Sequence, residues 1–205
     1  NWTGFYFGAD GGFAWQRASG TLTTASGAVL TPYGYSGSGP FAGSFVGGNY
    51  QFNQFVLGVE GDWQWSNLTG SNQTLAPLGA TGVLPSGPFT VSTTTRDYGS
   101  IRGRLGVAFD RFLVFGTGGW ATGNPSTAFA LTGAAPFVTT GGKSNGWAAG
   151  GGIEYAITDT ILGRIEYGYT DLQASGVPAN IADSGTRAPI SDFRAGFAYK
   201  FGGGA

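Results

Sequence analysis

The sequence predicts an all-β protein, an eight-stranded antiparallel up-and-down transmembrane β-barrel that takes up residues 1–205 as a single domain. Three observations predict it. Charged residues are only 10% of the chain, against about 25% in an ordinary soluble domain. Segments of about ten residues alternate apolar and polar side chains with a period of two, the signature of strands with unlike faces. The connections between those segments are alternately short and long, as in a meander with tight hairpins at one rim and loops at the other.

Composition removes the competing classes. A disordered chain carries more charge and fewer aromatics than the 15% found here. The 40 glycines show no three-residue period, which excludes collagen. The net charge of −1 supplies no basic field for nucleic acid. Cysteine and histidine are absent, so disulfides, thiolate metal sites and a Ser-His-Asp arrangement are impossible. No stretch approaches the roughly 18 apolar residues of a spanning helix. The opening NWTGFYFG lacks a basic segment followed by an apolar one. The reading is therefore a mature chain exported with a cleaved signal peptide.

The elements follow in chain order. In 5–16, Phe5, Phe7, Ala9, Gly11, Phe13 and Trp15 share one face, with Gly8, Asp10 and Gly12 on the other. Segments 41–52 and 55–66 meet across Asn53-Gln54; the second sets Phe55, Leu57, Val59, Trp63 and Trp65 against Glu60, Asp62 and Gln64. Segments 93–109 and 112–122 meet across Asp110-Arg111, which pairs Phe109 with Phe112. Paired residues share a face, so Ile101, Leu105 and Val107 lie with Val114 and Trp120, and Arg102 and Arg104 lie opposite them. Segments 145–157 and 161–172 meet across Thr158-Asp159-Thr160, which sets Glu154 beside Arg164. Segment 190–201 closes the set. Long loops are expected near 17–40, 67–92, 123–144 and 173–189.

Parity then sorts the charges. Asp10, Glu60, Asp62, Glu154, Glu166 and Asp192, with Arg102, Arg104, Arg164, Arg194 and Lys200, fall on the polar phase, and Arg96 shares it farther out. None falls mid-strand on the aromatic phase, where a lysine or arginine at the bilayer centre costs roughly 2–4 kcal/mol. The ionic side chains therefore point into a barrel, where they neutralise one another, and the aromatic face meets lipid. Trp15, Trp65, Trp120 and Trp147 sit on that lipid face where strands lead into or out of long loops, as interface aromatics do. Phe52, Phe55, Phe109, Phe112 and Tyr155 mark the other rim.

Several stretches resemble the small alphaproteobacterial outer-membrane proteins of the porin-like β-barrel family. They are WTGFYFGADGG (2–12), NYQFNQFVLGVEGDWQWS (49–66), IRGRLGVAFDRFLVFGTGGWA (101–121), GWAAGGGIEYAITDTILGRIEYGYTDL (146–172) and FRAGFAYKF (193–201). The resemblance covers every predicted strand and none of the long loops. It implies location in the bacterial cell outer membrane, among lipid and lipopolysaccharide, and insertion by the barrel-assembly machinery. It also implies that termini and short turns face the periplasm. In that family the last strand ends on an aromatic assembly signal, which Tyr199 and Phe201 match; Gly202-Gly203-Gly204-Ala205 follow here, a departure from the pattern.

Little in the sequence suggests catalysis, and it asks for no cofactor and no metal. The pairs Glu60/Asp62 and Glu154/Glu166 read as salt-bridge partners of arginines rather than as an acid and base. TGGKSNG (140–146) lacks the glycine spacing of a phosphate loop, since position 137 is Phe. Three roles stand open. The first is a structural envelope protein with a salt-bridged, largely closed interior. The second is a small porin-like channel for ions or small solutes. The third is a surface module whose uncharged loops meet neighbouring barrels or other surface components.

Overall fold

The computed structural model describes residues 1–24, 29–74, 89–131, 136–173, 181–183 and 187–202. Eight long strands form the wall: β1 (Gly4–Thr24), β2 (Val29–Phe52), β3 (Phe55–Thr74), β4 (Phe89–Phe109), β5 (Phe112–Leu131), β7 (Ser144–Ala156), β8 (Ile161–Gln173) and β10 (Arg187–Phe201). Two short strands, β6 (Pro136–Gly141) and β9 (Ile181–Asp183), pair with the far ends of β5 and β1. Neighbouring strands of the wall are antiparallel, and β10 pairs with β1, so the sheet closes into an eight-stranded barrel.

The short turns set the register as parity requires. Phe52 pairs with Phe55, Phe109 with Phe112, and Glu154 with Arg164. Asn53 and Asp110 open their two-residue turns with φ of 54° and 53°, a left-handed conformation that Asn and Asp tolerate better than other side chains. In the remaining short turn the Thr158 hydroxyl accepts the backbone N–H groups of Thr160 and Ile161 at 3.2 and 2.9 Å.

The opposite rim differs from the sequence reading. The segments expected as loops near 17–40, 67–92 and 123–144 are, where described, largely strand, and β10 begins at Arg187 inside the fourth. Residues 25–28, 75–88, 132–135, 174–180 and 184–186 of these segments lie outside the described residues. From Trp15 to Thr24, β1 runs on for roughly 30 Å of strand at about 3.3 Å per residue. Composition misled because Thr, Ser and Gly read as loop, whereas here a partner strand satisfies their backbone groups.

Irregularities gather at that end too. The β4–β5 ladder shifts between Thr95 and Tyr98. Thr95 and Tyr98 are both buried although they differ in parity, and Arg96 between them is exposed. The expectation that Arg96 shares the inward phase is thereby corrected: a β-bulge inserts one residue and turns it outward.

The barrel is inside-out relative to a soluble domain. Ile101, Leu105, Phe5, Phe197 and Val59 are more than half exposed, while Arg102, Arg104, Glu60 and Glu166 are almost completely buried.

Candidate functional site: the filled lumen

Ten of the eleven ionic residues expected inside are buried there: Asp10, Glu60, Asp62, Arg102, Arg104, Glu154, Arg164, Glu166, Asp192 and Arg194. Lys200 is the exception and a correction. It is half-buried at the short-turn rim and donates from Nζ to the carbonyl of Asn1. Its place beside Phe201, the last residue of β10, puts it level with the mouth, where water is in reach.

The ten form one network. Glu60 on β3 is its hub. Its carboxylate meets Arg102 Nη2 at 3.1 Å, Arg104 Nη1 at 3.4 Å and Arg164 Nη2 at 2.5 Å. It also accepts the Tyr6 hydroxyl at 2.8 Å. Glu154 joins Arg104 and Arg164, each at 2.7 Å. Arg102 reaches Asp62 at 3.2 Å and Glu166 at 2.5 Å. Above these, Arg194 binds Asp192 through Nε at 2.8 Å and stands 3.6 and 3.8 Å from Asp62 and Asp10. Ser100 donates to Asp62, and Gln64 to Asp10 at 3.4 Å. Six carboxylates against four guanidinium groups give the network a formal charge of −2 (4 − 6).

Local sequence makes the room. In a narrow barrel, charged chains fit only where a facing residue has none. The Tyr6 hydroxyl occupies the space a side chain at Gly47 would take, and the Asp192–Arg194 pair does the same at Gly168.

Two apolar layers bracket the ionic one, and parity alone had not drawn attention to them. At the short-turn end, Trp2, Tyr6, Phe45, Val56, Leu113, Phe115 and Leu162 pack together. At the long-strand end, Phe41, Leu68, Tyr98, Leu172 and Ile190 do so, with Ala14, Ala121 and Ala148. All are on the inward phase, so the signal was present: the inward sets carry apolar residues toward their ends, with charge between them on β1, β3, β4, β7, β8 and β10 and uncharged residues there on β2 and β5. The layers interlock, since Arg104 lies 3.9 Å over the Phe115 ring and Arg164 lies 4.0 Å over Phe45. Such stacking lets a guanidinium be buried with its flat faces covered.

The outward residues have the expected arrangement. Trp15, Trp65, Trp120 and Trp147 are exposed on the outer wall, and Trp120 pairs with Trp147 across β5 and β7. Trp63 joins them. At the other rim Phe112 and Tyr155 meet as tilted rings with centroids 4.8 Å apart. Tyr199 and Phe201 face outward on β10, against Phe7 and Phe5.

As to chemistry, each of Glu60, Glu154 and Glu166 is held by two or more guanidinium groups. A carboxylate so held is a structural anion, unsuited to giving or taking a proton. Among the described residues, no group of three or more acids is arranged to hold a metal ion.

A closed barrel with an ionic lumen and an apolar, aromatic-girdled outer wall is an integral outer-membrane protein. The particular kinship follows from comparison. The model of the outer membrane protein beta-barrel domain matches residues 1–201, and the chain belongs to that family. It is 34% identical to the 31 kDa outer-membrane immunogenic protein of Brucella melitensis, over 98% of this chain and 84% of that one. It is 32% identical to the 25 kDa outer-membrane immunogenic protein of Brucella canis, over 98% and 80%. Among solved structures it matches the outer membrane protein OprG of Pseudomonas aeruginosa with a TM-score of 0.53 at 18% identity, covering 98% of each chain. That likeness is one of fold. The chain is thus an outer-membrane barrel akin to these small alphaproteobacterial proteins.

Proposed function

We propose that the protein is a structural component of the outer membrane that conducts no steady current. One observation carries the reading: among the described residues, the lumen is filled in three layers, an ionic one between two apolar ones. An ion would first have to leave water for an apolar plug and then compete with guanidinium groups already bound. A rigid, filled stave of this kind braces lipid and lipopolysaccharide by its outer wall. Its delivery by the barrel-assembly machinery, with Tyr199 and Phe201 as the assembly signal, accords with their place on the last wall strand.

The test is single-channel recording in planar bilayers. The native protein should give no steady openings. Opening should require breaking the middle layer, as in an Arg102→Ala, Arg104→Ala variant whose folding is confirmed by its heat-modifiable gel shift. Steady ohmic openings of the native barrel would instead make it the small channel.

A second reading rests on the strands that run past the tryptophan level. The sequence of these stretches is rich in Thr and Ser and is uncharged over 21–39 and from 67 onward in β3. Such a surface is suited to meeting a neighbouring barrel or another surface component. The word "immunogenic" in the relatives' names fits a surface that stands clear of the bilayer. Trimming 67–92 should leave the barrel folded and abolish such contact.

A further inference from the structure

The outer wall is not uniformly smooth. Strands β7, β8, β10 and β1 frame an apolar groove of about 860 Å³ near the short-turn end. Its floor is formed by Gly163 and Ala195, outward positions with nothing longer than a methyl group. Tyr155, Ile157 and Phe197 wall its lower part, and Tyr167 its upper part. A groove in this position opens onto hydrocarbon. Left unfilled it would forfeit dispersion contacts along its whole lining, so its natural occupant is a flexible alkyl chain.

A cation stands close by, at the barrel mouth. Arg111, exposed in the β4–β5 turn, donates from Nη1 to the carbonyls of Ala156 and Ile157 at 3.1 and 3.3 Å. The guanidinium is therefore docked on the backbone of the residue whose side chain forms the groove's wall. Its planar fork carries five N–H groups in all, a geometry matched to phosphate oxygens. Asp110, Asp159 and Lys200 share the barrel mouth with it, two acids against two bases, so charge alone attracts anions weakly there. Chain burial and phosphate contact have to act together.

We infer that this groove and Arg111 form a site for one phospholipid of the periplasmic leaflet, an acyl chain lying over Gly163 and Ala195 and the phosphate meeting Arg111. The leaflet follows from the rim, because short turns of such barrels face the periplasm. The site is separate from the lumen, so its failure leaves the closed-barrel reading untouched.

Native mass spectrometry of the full barrel, released from nanodiscs of phosphatidylglycerol or of phosphatidylcholine doped with diacylglycerol of the same chains, tests it. The native protein should retain one phosphatidylglycerol, about fivefold or more above diacylglycerol. Arg111→Gln should bring the two lipids within about twofold of each other while some chain binding remains. Ala195→Phe, filling the floor, should lower retention of both by about fivefold or more. Gly163→Leu serves the same purpose if Ala195→Phe lacks the heat-modifiable shift of a folded barrel. Retention unchanged by the floor substitutions, or a phosphate preference unchanged in Arg111→Gln, would overturn the assignment.

Discussion

The lower and upper halves of the ionic layer use the same chemistry to different effect. Below, Glu60, Glu154, Arg104 and Arg164 are joined at 2.5–3.4 Å, and every group serves at least two partners. Above, Arg194 faces Asp192 closely but Asp62 and Asp10 only at 3.6 and 3.8 Å. Buried atoms without a hydrogen-bond partner among the described residues occur in both halves, Asp10 Oδ1, Gln64 Oε1 and the Tyr98 hydroxyl above and Arg104 Nε and Glu154 Oε2 below, so the contrast lies in the ion-pair distances. Part of the contrast has a topological cause. Glu154 and Arg164 are registered directly across β7 and β8, and Glu60 and Arg102 across β3 and β4. Asp10 is registered opposite Gly43 and Gly196 and has to reach across the lumen. Register thus supplies two of the tight pairs, while Glu60–Arg164 and Arg102–Glu166, both at 2.5 Å, join strands that are not neighbours in the wall.

The largest effect should come from the hub. Glu60→Gln removes an anion shared by three guanidinium groups and leaves them crowded and under-neutralised. A loss of about 3–5 kcal/mol is expected, measured by denaturant titration of folding into lipid vesicles. A loss below about 1 kcal/mol would break the comparison at its strong end.

A double-mutant cycle sharpens it. Replacing Glu154 by Gln and Arg164 by Met, singly and together, should give a coupling near the upper part of the roughly 0.5–3 kcal/mol range for residues in one network. The same cycle on Asp10 and Arg194, with Asn and Met, should fall near its lower limit. Equal couplings would mean that distance and register do not set the difference.

The smallest effect should be Asp10→Asn. One carboxylate oxygen has no hydrogen-bond partner among the described residues, and the other has only long contacts. The change also reduces the surplus of negative charge, so stability in the same titration should move by less than about 1 kcal/mol. A severe loss would show that the upper half is bound as tightly as the lower.

Much of this was legible in the sequence because a strand has only two faces. Once Phe109 is paired with Phe112, the direction of Arg102 and Arg104 follows, and with it the inside and outside of two strands. Parity fails wherever a residue is inserted, and Arg96 shows it: nothing in TTTRDYG (93–99) announces the bulge. Lys200 has the right parity but too little depth, and depth depends on where the rim cuts the strand. The apolar plugs are written on the inward phase at Phe45, Leu113 and Leu172. They go unread because their meaning depends on several strands meeting at one level, a three-dimensional fact. The lipid groove is farther still from the sequence, since Gly163 and Ala195 become a floor only when β8 and β10 lie side by side.

The pairing of β10 with β1 carries a consequence for biogenesis. It joins Phe5 to Phe201, so the seam is made between wall strands far apart in sequence. Until β10 pairs with it, β1 presents a naked ladder edge, which hydrocarbon cannot solvate. Contacts so remote in sequence carry a large closure entropy and form slowly. The chain therefore cannot enter the bilayer stave by stave as it emerges. An edge left open in hydrocarbon is costly, so sealing this seam and entering the bilayer are coupled.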